Sequence, residues 1–152
     1  MHERTFSLRR IFAAAILACW APAVTAQTMC PDLAALTTDA HKGFTDIKGQ
    51  ATDVAAGNFA TTKALPGAGT CWLHQELSDF TYWCRWAMPA PQLPAAYRQL
   101  ADAVKTCFPS AEASIDQPDN RAAAAIIRPA GARFFISIDY VSDVLTLSLD
   151  TD

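Results

Sequence analysis

Two tryptophans, a histidine and an arginine form the group best suited to chemistry in this sequence. Trp72 and His74 stand two residues apart, and so do Trp83 and Arg85. A spacing of two puts each pair on one face of a β-strand. The stretch around them, Cys71 to Met88, reads CWLHQELSDFTYWCRWAM, and a turn near Ser78-Asp79 folds it into a hairpin. Cys71, Leu73 and Leu77 then share a face with Phe80, Tyr82, Cys84, Trp86 and Met88. Trp72, His74 and Glu76 point the other way with Thr81, Trp83 and Arg85. Two indoles beside a guanidinium and an imidazole could stack on a sugar ring. They could equally form the centre of a protein interface, where Trp and Arg are enriched. The competing expectation is that a helix or loop covers this face and turns both tryptophans into core; left open, the cluster marks a binding surface.

Other catalytic groups are sparse. His41 falls beside the apolar stripe of the first helix, which makes it a surface residue, and His74 is the candidate base. There is no G-x-S-x-G around a serine. No glycine-rich phosphate loop follows a strand. Met29 and Met88 form no stripe that would suggest a cofactor box. Asp79, Asp139 and Asp143 sit near strand ends, but turns are rich in Asp for local reasons. Glycoside cleavage would need two acids across a cleft. With no C-x-x-C pair and no histidine cluster, neither zinc nor any other metal or cofactor is expected.

The chain start points to export. Arg4, Arg9 and Arg10 precede the apolar run IFAAAILACW, and small residues follow to Ala26. That order is a secretory signal peptide, cleaved near Ala26, so residues 27–152 form the mature domain. The run is too short for a membrane span of about 20 residues. Arg9-Arg10 resembles a twin-arginine leader, and Ile16 to Cys19 resembles a lipoprotein box that would anchor the chain at Cys19. An ordinary leader to the periplasm or outside suits a disulfide protein better.

Five cysteines become four in the mature chain, because Cys19 is removed or lipidated. Cys30, Cys71, Cys84 and Cys107 allow three pairings, and spacing alone does not choose among them. Geometry favours Cys71 with Cys84 across the hairpin. That leaves Cys30, at the start of the first helix, for Cys107, at the end of the second. The chain of 152 residues carries a formal net charge of −3. A mildly acidic chain without a basic cluster argues against nucleic acid as a partner.

The elements that must hold the cluster follow from periodicity. Leu33, Leu36, Ala40, Phe44 and Ile47 make one helical stripe that starts near Pro31 and stops at Gly49, or at Gly57 if Ala51 and Val54 continue it. Asn58 to Thr70 reads as a loop around Pro66-Gly67 and Gly69. The hairpin follows. Pro89, Pro91 and Pro94 lead into a second helix with Tyr97, Leu100, Val104 and Cys107 or Phe108 on its stripe, and Pro109 ends it. Three strands are expected from the segments Ala122–Arg128 after Asn120, Arg133–Tyr140 and Leu145 onward, with Ala111–Asp116 the weakest candidate ahead of them. The expectation is one α+β domain of order α-β-β-α-β-β-β: a single antiparallel sheet of about five strands, two helices on one face and two disulfides. A helix followed by a hairpin occurs twice in outline, without a residue-level repeat. Function is a separate matter from fold. Export, two disulfides, modest size and no recognisable catalytic set lead to a non-catalytic protein that binds another envelope protein, such as an inhibitor, immunity or accessory factor. A carbohydrate or cell-wall binder through Trp72 and Trp83 is the second reading. A small hydrolase using His74 is the third.

Overall fold

The computed structural model describes residues 26–118 and 123–151, with side chains from residue 28 onward. The leader through residue 25, with Cys19 and Arg9-Arg10, and Asn120 lie outside the described residues. The elements run α1 (Ala26–Ala40), β1 (Lys48–Asp53), β2 (Asn58–Thr61), β3 (Thr70–Glu76) and β4 (Asp79–Ala87). A 3-10 turn at Ala90–Gln92 then opens α2 (Leu93–Cys107). The second half continues with β5 (Glu112–Ile115), β6 (Ala124–Arg128), β7 (Arg133–Asp139) and β8 (Val144–Asp150). All eight strands join one sheet of order β1-β2-β3-β4-β8-β7-β6-β5, with antiparallel neighbours throughout. The chain is thus a helix plus a four-stranded meander, made twice. The last strand of each meander meets the other at the centre, β4 against β8.

The sheet of about five strands is therefore corrected to eight. The largest error falls between residues 41 and 61. The apolar stripe through Phe44 and Ile47 suggested a helix to Gly49 or beyond, yet α1 stops at Ala40. Gly43 and Phe44 both take left-handed backbone, with φ of 65° and 59°. The Lys42 and Phe44 amides donate back to the Asp39 carbonyl at 2.9 Å and close the helix. Phe44 still reaches the core, where it is fully buried and stacks on Tyr82 with ring centroids 6.2 Å apart. Periodicity cannot tell a helical residue from one that a turn aims at the same place. The next residues form β1, an edge strand whose pattern KGQATD has no alternation because most of it is exposed. Two irregularities in its pairing with β2 break the ladder there. Such bulges protect a sheet edge from further pairing. β2, in the stretch read as loop, has Phe59 as its one large apolar residue. At the other end of the helix, α1 starts ahead of Pro31, which lies inside it. The least regular segment, near Ala111, is a true strand, β5, at the opposite edge of the sheet.

One face of the sheet carries the core. Leu73, Tyr82, Leu149, Phe134 and Ile127 line up across β3, β4, β8, β7 and β6. Each is fully buried. The next row on that face is Cys71, Cys84, Leu147, Ile136 and Ala125. Met29, Leu33 and Leu36 of α1 and Leu93, Tyr97, Leu100 and Val104 of α2 close over these rows. Both helices therefore occupy the same side.

Two disulfides staple the layers. Cys71 and Cys84 stand directly opposite in the β3–β4 register, with Cα atoms 4.2 Å apart. Cys30 and Cys107 join α1 to the end of α2 across 77 residues of chain. The long 62–69 connection is fixed to the sheet: the Tyr82 hydroxyl donates to the Lys63 carbonyl at 3.0 Å, and the Trp86 indole donates to the Pro66 carbonyl at 3.2 Å. Lys105 donates to the Pro109 and Ala111 carbonyls just beyond α2. A cation there opposes the helix dipole as well. No helix among the described residues is long and apolar enough to cross a membrane. Two disulfides suit an exported protein.

Candidate functional site

The face opposite the helices carries the tryptophan cluster. Alternation along β3 and β4 sends Leu73, Tyr82 and Cys84 inward, so Trp72, His74, Trp83 and Arg85 must point outward. Trp72 and Trp83 are direct cross-strand partners. Their rings stack with centroids 6.0 Å apart and planes 12° from parallel. The Arg85 guanidinium carbon lies 5.1 Å from the centre of the Trp72 ring. One tryptophan thus meets both a second indole and a cation. Both tryptophans are half-buried and Arg85 is exposed. The rings keep some open surface although no helix covers them.

His74 is opposite Asn58 of β2, and its Nδ1 bonds to Asn58 Oδ1 at 3.0 Å. An amide oxygen only accepts, so Nδ1 donates in this pair. Thr52, Ala56, Asn58 and Ala60, from the β1–β2 hairpin, face these residues across a cleft of about 810 Å³. Sequence reading missed that wall because it took β1 and β2 for helix and loop. Among the described residues no carboxylate lines the cleft; its polar groups are hydroxyls, an amide, an imidazole, a guanidinium and two indole N–H groups.

The register extends the cluster into the second half of the molecule. Ala60, Trp72, Trp83, Ser148, Phe135, Ile126 and Ser114 form one row across seven strands on the open face. Ser148 lies between Trp83 and Phe135 and is only 5% exposed, shaded by the two larger neighbours. Beside it, Thr146 is shielded too and bonds Ser137 between hydroxyls at 2.7 Å. Alternation in the sequence places Phe135 and Ser137 on one strand face. It cannot reveal that β8 brings that face next to Trp83, because β4 and β8 are separated by a whole helix and three strands.

Other candidate residues stand apart from this row. His41 is exposed beyond α1, and its ring sits against Gly131 in the β6–β7 turn, where a Cβ would come within 2.6 Å of it. Asp79 lies at the β3–β4 turn, while Asp139 and Asp143 lie at the β7–β8 turn at the other end of β4. The Asp139 carboxylate accepts the Val141 and Ser142 amides, at 2.9 and 3.2 Å. Hydrogen bonds from Ser142 hold its pKa below the usual carboxylate range. It serves the turn, and these three acids do not face each other across a cleft. Among the described residues no group of three His, Cys, Asp or Glu side chains is placed to hold a metal ion. No family model, curated protein or solved structure matches this chain.

Proposed function

We propose that this protein is an exported binding module whose open sheet face docks another envelope or secreted protein. The observation that carries the reading is the row Trp72, Trp83, Phe135 and Ile126 on a face that no helix of the described chain covers. An apolar row of this length on an uncovered sheet resembles the centre of an interface more than a soluble surface. The tryptophan geometry favours a protein over a sugar. Stacking on a sugar uses an open ring face, and the contacts of Trp72 with Trp83 and Arg85 reduce what that ring offers, leaving Trp83 as the main platform. His74 is bonded to a neutral amide, and among the described residues no nucleophile or carboxylate bonds to it, so a hydrolase has less to support it.

The test compares the oxidised protein with Trp83→Ala on an affinity column loaded with envelope extract. The ring pair contributes about 1 kcal/mol beyond the area it buries, and a half-buried indole adds to that, so a thermal melt first establishes that Trp83→Ala is folded. The expected result is a specific partner retained by the parent protein and absent from the variant column. Unchanged retention by Trp83→Ala would place the interface elsewhere. Binding to peptidoglycan that depends on Trp83 would favour the carbohydrate reading.

A further inference from the structure

We infer that the cleft between the β1–β2 hairpin and the tryptophan pair takes an acidic segment of the partner, with a carboxylate on Arg85 and a neighbouring apolar side chain on Trp83. This rests on the reading of the open face as a protein-binding surface. The chain as a whole has 15 acidic residues against 12 lysines and arginines. The cleft reverses that balance, with Arg85 as its charged side chain and, among the described residues, no Asp or Glu in its walls. A concave site that lacks carboxylates on a net-acidic chain leaves that place for one supplied from outside.

Arg85 is prepared for it. Its guanidinium carbon lies 5.1 Å from the centre of the Trp72 ring, a contact that restricts the side chain. It forms no salt bridge among the described residues, whereas Arg133 on the same face is paired with Asp150 at 2.8 Å. Arg85 helps only slightly to lower the pKa of Asp139, whose carboxylate is held first by Ser142 and Val141 of its own turn. Arg and carboxylate pair best through two parallel hydrogen bonds, and a guanidinium already restricted loses less freedom in forming them. Thr70, opposite Arg85 in the register, adds a hydroxyl beside the same spot.

The test selects binders from a random dodecapeptide display library on the oxidised protein, then measures them against Arg85→Gln and Trp83→Ala. Arg85 is exposed, so its substitution should leave the fold intact. The expected peptides carry Asp or Glu next to an aromatic or branched aliphatic residue. Arg85→Gln should weaken them about tenfold or more, the range of a lost charge-assisted pair. Replacing the peptide acid by its amide should cost as much on the parent protein and nothing further on Arg85→Gln. Enriched peptides that lack acids, or that ignore Arg85→Gln yet still need Trp83, would overturn the acidic segment while leaving the open-face reading standing. Peptides indifferent to both substitutions, or no enrichment at all, would count against both. Displacement of the peptides by soluble muropeptides in an Arg85-dependent manner would give the cleft to a sugar acid and overturn the protein segment.

Discussion

At the scale of single residues, two positions carry a cost that the fold tolerates. Leu77 holds a φ of 57° at the tip of the β3–β4 hairpin and is 94% exposed. A leucine in left-handed backbone costs about 1 kcal/mol, and the first position of a two-residue turn often prefers glycine. Leu77→Gly should therefore raise the melting temperature, by about 0.5–1 kcal/mol of stability in chemical denaturation. Unchanged or lower stability would mean that the leucine makes contacts its exposure hides. Asp39 is the second position. It is 5% exposed, its Oδ1 accepts the Asp46 amide at 3.4 Å, and its Oδ2 is buried without a partner. Burial, with Asp46 adding to it, raises the carboxyl pKa above 3.8. A raised carboxyl pKa favours the folded state at low pH. That contribution is full below the unfolded value and fades as pH climbs through the folded one. Asp39→Asn keeps the acceptor for Asp46 and removes the buried charge. It should stabilise the protein more at pH 7 than near pH 3, as thermal melts across that range would show.

At the scale of elements, the sequence spoke clearly where strands are half-buried and paired to their neighbours in the chain. The outward set Trp72, His74, Trp83 and Arg85 was readable because β3 and β4 alternate and a short turn joins them. The same reasoning put Phe134, Ile136 and Ile138 on one face of β7. It failed for β1 and β2, where an exposed edge hairpin carries no alternation to read, and at Gly43, where a left-handed turn ends α1 but keeps Phe44 in its apolar register. As a result one wall of the cleft, with Asn58 and Thr52, was invisible beforehand. The disulfides behave as element-level constraints. The Cys71–Cys84 loop spans 13 residues and the Cys30–Cys107 loop 77. On chain entropy alone, the two bridges contribute about 3 and about 4.5 kcal/mol. Replacing Cys30 and Cys107 together by Ser should thus destabilise more than replacing Cys71 and Cys84 together. Guanidinium titrations of the two double variants give the comparison, and the reverse order would show that strain or native packing outweighs loop length.

For the whole molecule, the arrangement is two helix-plus-meander halves that meet along β4 and β8 and share one helical layer. Because both helices lie on one side, the other side of an eight-stranded sheet is left without cover from within the described chain. The seam between the halves runs through the middle of that open face, and Trp83 and Ser148 face each other across it. Neither half alone could present the complete row, since Trp72 and Trp83 come from the first and Phe135 and Ile126 from the second. This union of distant strands was not legible from sequence, because periodicity reports which face a residue takes and says nothing of which strands become neighbours. The measurement that tests the account most directly is hydroxyl-radical footprinting of Trp72, Trp83 and Phe135, on the purified oxidised protein and on the same protein in its native exported compartment. The account predicts that all three are labelled in the purified protein and protected together in the compartment, while Leu77 and Val141 at the hairpin tips stay labelled in both. Equal labelling of the three residues in the two settings would contradict it, and the open face would then be no more than an unusually aromatic surface.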